Sequence, residues 1–270
     1  MASTDSKKYR YIRVSSNDAI NETDTNSNFH VDMSNDLNLQ QIKEVWFQGM
    51  SVPYTWTNIY SYTTPNSSTV IQNNLFVIQF STSGTPTTYV IPPGYYNIIT
   101  LMALIQNDIN SDPDFAGNTI SITQNPITQQ VNFAITGTTM ITYFNSSNGS
   151  SLAPYIGILN TTIPQTNYTT DTIPHLQGDE YIFINSKEIL PNNTRLSNGQ
   201  SVSAFASVPL ARFPFLSIIK YESWGSLIDR DVLNTVNLAN IGFTLRGDGG
   251  RILNIAPNDE TVIIFKVYYE

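Results

Sequence analysis

The C-terminal stretch GFTLRGDGGRILNIAPNDETVIIFKVYYE, residues 242–270, carries the signals that decide the fold class. The segments IGFTL (241–245) and ILNIA (252–256) alternate apolar and polar residues, which is typical of half-buried strands. Asp-Gly and Gly-Gly lie between them, and glycine accepts the positive φ that tight hairpin turns need. The run VIIFKVYY (262–269) then closes the chain. The stretch therefore predicts a β-hairpin followed by a long strand.

The same turn contains Arg246-Gly247-Asp248, a tripeptide that some adhesion ligands display. The hairpin accounts for the glycines in this stretch, so no receptor is needed to explain them. We therefore interpret the tripeptide as a turn, and the sequence leaves an adhesion role open.

The composition of the whole chain agrees with an all-β fold. Of 270 residues, 40% are hydrophobic and only 13% are charged, about half the usual charged share. The polar residues are mostly 29 Asn, 26 Ser and 30 Thr. These side chains compete for backbone hydrogen bonds and disfavour long helices, so the prior favours strands.

The charge balance argues against a nucleic-acid surface, since the net charge is −8 and the sequence pI is near 4.6. The one basic cluster is at the N-terminus: Lys7, Lys8, Arg10 and Arg13. We expect a frayed end there, with an arm on a polyanion or a neighbouring subunit as the alternative.

Cysteine is absent, which excludes disulfides and cysteine-based metal sites. The N-terminal residues lack the apolar region of a signal peptide, and no apolar run approaches the length of a membrane-spanning helix. The sequence therefore predicts a soluble chain of intracellular origin.

Turn-punctuated apolar runs predict about a dozen strands. They lie at residues 29–33, 41–56, 74–80, 88–91, 119–123, 130–135, 140–144, 180–189, 201–208, 213–222, 241–245 and 262–269. Gly49 is expected to mark a bulge. Residues 61–73 are predicted to form a loop and residues 191–199 a long turn.

One segment has a helical pattern. Asn97 can cap it, and Ile98, Leu101, Met102 and Ile105 recur at 3.6-residue spacing before Asn110. We expect a helix from about 97 to 110 whose apolar face packs on a sheet.

These elements fit a single jelly-roll β-sandwich with one short helix and a β-rich insertion. The predicted domain limits are an extended N-terminal arm at 1–26 and a jelly roll at 27–270, with an insertion lobe at about 111–176.

No catalytic, cofactor-binding or metal-binding constellation stands out. The two histidines, His30 and His175, are far apart in sequence, and Asp229-Arg230-Asp231 is typical of a solvated turn. We expect no enzymatic activity and no cofactor. Two alternatives stay open: a hydrolase on a β scaffold, and a carbohydrate-binding sandwich that stacks sugars on Trp46, Trp56 or Trp224.

The order of five segments resembles one family. FHVDMSNDLNLQQIKEVWFQGMSVPYTWTNI, YVIPPGYYNIITLMALIQNDIN, LAPYIGILN, EYIFINSKEIL and a closing hairpin follow each other as in the penton, or minor capsid, proteins of virophages, polinton-like viruses and giant DNA viruses. The resemblance spans residues 27–270, and the polar stretch 160–178 departs from the family pattern.

The resemblance implies a single jelly roll that forms homopentamers at the five-fold vertices of an icosahedral virion. The implied partners are trimers of the major capsid protein and other minor capsid proteins, with no specific nucleic acid and no transmembrane segment. The implied location is the virion, assembled in the host cell. The alternative is a carbohydrate-binding or attachment β-sandwich protein of a virion.

Overall fold

The computed structural model describes most of the chain: residues 8–21, 24–34, 42–63, 70–80, 85–137, 140–142, 151–159, 163–176, 178–189, 192–195, 201–211, 213–223, 230–232, 240–248 and 250–269. Within these ranges the protein is all-β with one α-helix, as predicted, and the strand pairs are antiparallel.

The strands, in chain order, are β1 Lys8–Ser15, β2 Asn28–Asp32, β3 Ile42–Pro53, β4 Ser61–Thr63, β5 Val70–Gln72, β6 Leu75–Phe80, β7 Thr87–Val90, β8 Thr119–Gln124, β9 Val131–Thr136, β10 Met140–Thr142, β11 Ile163–Gln165, β12 Asn167–Thr169, β13 Tyr181–Asn185, β14 Asn192–Arg195, β15 Ser201–Ala204, β16 Ala206–Pro209, β17 Ile218–Glu222, β18 Arg230–Val232, β19 Asn240–Arg246 and β20 Val262–Tyr269. The helix α1 spans Ile98–Asn110.

The chain divides into two compact units. The discontinuous unit comprises Met1–Trp56 and Asp179–Glu270, and the inserted unit is the continuous stretch Thr57–Gly178. The predicted insertion lobe, 111–176, ends near the observed boundary but starts too late. Its predicted start left α1 outside, whereas the helix packs on β8 of the inserted unit.

The discontinuous unit is a jelly-roll type β-sandwich. One sheet has the order β1-β20-β3-β17, with β18 also paired to β3, and the other has the order β16-β13-β19-β2. Buried side chains of both sheets, such as Phe47, Phe265, Ile184 and Phe243, form one apolar cluster. In β19, for example, Ile241, Phe243 and Leu245 alternate into this cluster.

The prediction that residues 1–26 form an arm outside the core is wrong for the described part. Lys8–Ser15 pairs with β20 along its whole length, and Val14 is buried in the apolar cluster. Tyr11 and Arg13 face outward and alternate with the inward-facing Ile12 and Val14. The strand therefore has an apolar side that the nearby basic residues obscured in the sequence.

The expected bulge at Gly49 is confirmed. Ile264 of β20 faces Gly49 while the next residue, Phe265, faces Phe47, so β3 contains an extra residue there. A Cβ on Gly49 would overlap the carbonyl oxygen of Tyr221 in β17. Glycine is therefore required by the close approach of the neighbouring strand.

The inserted unit contains a four-stranded sheet in the order β11-β10-β6-β7, a three-stranded sheet in the order β12-β9-β8, and the hairpin β4-β5. The helix is capped as predicted, because the Asn97 side chain accepts a hydrogen bond from the Thr100 N–H at 2.9 Å. Its buried face consists of Leu101, Met102, Ile105 and Ile109. The predicted packing of this face on a sheet is confirmed.

Two predicted loops contain paired strands. Within 61–73, Tyr62 of β4 faces Ile71 of β5. Within 191–199, β14 pairs with β15 from Asn192 to Arg195. Both segments are rich in Asn, Ser and Thr, which are typical of turns. Their composition therefore predicted loops where the structure has short paired strands.

Candidate interaction surface

The Arg246-Gly247-Asp248 segment is the hairpin turn that the sequence predicts. The Gly247 N–H donates to the Arg251 carbonyl at 3.0 Å, and the Leu253 N–H donates to the Leu245 carbonyl at 3.0 Å. Gly250 adopts a φ of 74°, a conformation that glycine accepts without steric cost. Gly249 lies outside the described residues.

The Asp248 side chain is engaged within the chain. Its Oδ2 accepts a hydrogen bond from the Glu180 N–H. Burial raises the pKa of Asp248 to about 6, and the nearby carboxylates of Asp179 and Glu180 act in the same direction. The carboxylate that an adhesion ligand would present is therefore partly committed to an internal contact.

Beneath the turn lies a buried ion pair. Arg251 Nη2 donates to Asp179 Oδ2 at 2.5 Å, and both side chains are at most 4% exposed. Trp56 Nε1 donates to the same oxygen at 3.1 Å, and the Asp248 N–H donates to Oδ1 at 3.0 Å. Burial raises the pKa of Asp179, and the Arg251 guanidinium opposes that shift.

The ion pair gives Gly247 and Trp56 a structural role in the core. A Cβ on Gly247 would overlap the Asp179 carboxylate, so glycine at the centre of the tripeptide is required for packing. Trp56 is 1% exposed and its indole N–H is used by Asp179, which makes it a core residue rather than a sugar platform.

The two histidines of the sequence belong to different compact units. His30 pairs with Asp24 in the discontinuous unit, with Nδ1 3.0 Å from Oδ1, and His175 lies in the inserted unit. Asp229 and Trp224 lie outside the described residues. In the described ranges no group of three His, Cys, Asp or Glu residues is placed to hold a metal ion.

The most distinctive exposed surface is on the outer side of the β1-β20-β3 sheet. We call it the aromatic face: Tyr9, Tyr11, Trp46, Lys266 and Tyr268. Register brings them together, because Tyr9 faces Tyr268 and Tyr11 faces Lys266, which in turn faces Trp46. Ring centroids of Trp46 and Tyr268 are 4.8 Å apart, and those of Tyr9 and Tyr11 are 5.8 Å apart.

Lys266 lies at the centre of this face. Its Nζ is 3.7 Å from the ring centroid of Tyr9 and 4.7 Å from that of Tyr268. It also lies 5.6 Å from Tyr11 and 5.9 Å from Trp46. A hydrogen bond with the Tyr268 side chain raises the pKa of Lys266. The ammonium is therefore held in place by cation–π contacts and stays charged at neutral pH.

Three of the four residues of the predicted basic cluster lie in β1, and Lys7 lies outside the described residues. Arg13 of this group bonds Glu260 at 3.0 Å on the surface. The alternation KYRYIRV was the signal for an outward-facing row of Tyr9, Tyr11 and Arg13. The neighbours of that row come from β3 and β20 and could not be assigned without the pairing.

No helix among the described residues is long and apolar enough to cross a membrane.

Comparison with solved structures finds proteins of similar fold. The chain matches no family model and no curated protein. It is similar to the crystal structure of the selenomethionine-labelled penton protein of mavirus, with a TM-score of 0.51 and 8% sequence identity. The likeness covers 98% of this chain and 100% of that one. At this identity the comparison supports the fold.

Proposed function

We propose that this chain is a structural capsid protein that forms homopentamers at the five-fold vertices of an icosahedral virion. The observation that carries the proposal is the likeness to the mavirus penton protein over 98% of the chain. A match that includes both the sandwich and the inserted unit is more specific than a shared jelly roll, which serves many functions.

The proposed partners are further copies of the chain and trimers of the major capsid protein, with other minor capsid proteins at the margin. The proposed role is non-enzymatic and its location is the virion. Two features of the surface support assembly. The neutral amides and hydroxyls can make hydrogen bonds across wet interfaces, and the aromatic face carries the residue types that dominate interface energetics.

Native mass spectrometry of the purified protein tests the oligomer, and a reconstruction of the particle tests its place. We expect a species of about 150 kDa, five times the 30.1 kDa chain, and density for this fold on the five-fold axis. A chain that stays monomeric at every concentration and is absent from purified virions would overturn the proposal.

A further inference from the structure

The aromatic face exposes large aromatic side chains to solvent. Tyr9 is 52% exposed and Tyr11 is 58% exposed. Large aromatic side chains on a sheet face, grouped around a cation, are enriched at the centres of protein interfaces. The face is therefore a candidate docking site.

The position of Lys266 restricts what can dock. Its ammonium lies over the ring of Tyr9 at 3.7 Å and over that of Tyr268 at 4.7 Å, so those ring faces are already used. Stacking of a neutral sugar needs uncovered ring faces. The surface presents a positive charge surrounded by aromatic rings, and the Glu44 carboxylate at its edge is engaged by Trp46 Nε1 at 3.1 Å. The exposed ammonium fits a partner surface that carries carboxylates.

The chain itself contains a surface of that chemistry. All 13 Lys and Arg residues lie outside 57–178, so the inserted unit holds none of them. It holds four of the 21 acidic residues: Asp108, Asp112, Asp114 and Asp171. No Lys or Arg of its own unit can neutralise them.

Three of these acids are grouped at the C-terminal end of α1. Asp108 is in the last turn of the helix, which has no basic residue, and Asp112 and Asp114 follow it. A helix C-terminus is itself negative and favours cations. Asp112 accepts a hydrogen bond from the Tyr89 hydroxyl at 2.6 Å, whereas Asp114 is exposed.

We propose that the aromatic face of one copy receives the inserted unit of a second copy, with Asp108 and Asp114 of that copy beside Lys266. The contact joins two different surfaces, so it is heterologous and can close a ring. It rests on the proposed function, since it names the subunit interface of the proposed pentamer.

Cysteine cross-linking tests the contact directly, because the chain has no cysteine. Tyr11→Cys protein is mixed with Asp114→Cys protein under mild oxidation. We expect a mixed disulfide dimer on a non-reducing gel, identified by mass spectrometry of the joined peptides. The control replaces Tyr11→Cys with Lys187→Cys, an exposed position next to β13 in the other sheet, and should give no mixed product.

Charge reversal provides a second measurement that separates folding from association. Lys266→Glu should weaken association by roughly tenfold or more, because like charges across an interface are unfavourable. The triple variant Lys266→Glu/Asp108→Lys/Asp114→Lys should restore it. Lys187→Glu makes the same charge change elsewhere and should assemble as wild type, and thermal unfolding checks each fold.

The outcomes distinguish the two proposals. A wild-type oligomer that gives no mixed disulfide and no rescue by the triple variant overturns this inference and leaves the penton function standing. A wild-type protein that is monomeric and absent from virions overturns both.

Discussion

The two units of this chain pair their polar side chains by different means. The discontinuous unit uses ion pairs: Arg251 with Asp179 in its interior and Arg13 with Glu260 on its surface. The inserted unit uses neutral amides. The Asn58 side chain, 3% exposed, donates to the carbonyls of Tyr96 and Leu176 at 2.8 and 2.7 Å.

The amides of the inserted unit take the place of backbone partners. Asn73 Oδ1 accepts from the Tyr60 N–H at 2.7 Å, and its amide donates to the Asn58 carbonyl at 2.8 Å. Asn110 pairs with both backbone groups of Ile120, at 2.8 Å and 3.0 Å. A unit without Lys or Arg can therefore pair these backbone groups through neutral amides, and its stability should depend little on salt.

The largest expected effect comes from a substitution in the core of the inserted unit. Leu101 is fully buried on α1, so Leu101→Ala should cost about 2–5 kcal/mol, and Leu101→Asp should prevent folding of the unit. Hydrogen exchange would show lost protection in α1 and β8. Ile99→Asp is the control on the same helix, since Ile99 is 70% exposed; wild-type melting of Leu101→Asp would contradict the packing.

The next effect concerns the buried ion pair. Asp179→Ala leaves the Arg251 guanidinium buried without its carboxylate, at a cost of about 3–5 kcal/mol. The double variant Asp179→Leu/Arg251→Met should recover much of that loss in urea unfolding. Arg13→Ala breaks the exposed pair and should cost at most about 1 kcal/mol. Equal costs for the single and double variants would show that charge is not the cause.

A smaller effect tests the amide network. Asn73→Ala leaves the Tyr60 N–H and the Asn58 carbonyl without this partner, which should cost about 1–3 kcal/mol. Asn107→Ala, at an exposed helix position, is the control. The loss for Asn73→Ala should be the same at low and high salt, and a loss that shrinks with salt would contradict the comparison between the units.

The smallest effect is a pH dependence in the discontinuous unit. The pKa of Asp248 is about 6 in the fold against an ordinary 3.8, so the folded state binds more protons between these values. Its stabilising contribution is complete below 3.8 and is lost as the pH rises through about 6. Because the group is partly exposed, we expect only about 1 kcal/mol.

Asp248→Asn isolates this dependence. The variant should lack the fall in stability between pH 4 and 7 that wild type shows on this account, while Asn107→Ala, which removes no titratable group, should follow wild type. Parallel pH profiles for wild type and Asp248→Asn, measured by thermal unfolding, would rule out the role of this carboxyl.

Local sequence patterns predicted much of the fold. The remaining features depend on residues that are far apart in the sequence. The helix and its Asn97 cap, the Gly49 bulge and the Arg246–Asp248 turn all depend on neighbouring residues, which a sequence displays. The start of the inserted unit at Thr57 directly follows the predicted strand 41–56, so no separate turn signal marks it. The sequence feature that does mark the inserted unit is the absence of Lys and Arg from 57–178.

The candidate interaction surface was less predictable for a physical reason. Tyr11 and Lys266 are neighbours only because β1 pairs with β20, and Trp46 joins them through β3. Asp179 and Arg251 likewise meet across the fold. Such groups are visible in a sequence only after the strand register is known.

The hydrogen bond between Trp56 and Asp179 has a consequence for how the molecule could be re-engineered. These residues are the last before the inserted unit and the first after it, and their side chains are 3.1 Å apart. A domain grafted at this junction would be flanked by two host residues that already contact each other through their side chains. Inserted domains are tolerated best where the flanking residues lie close together.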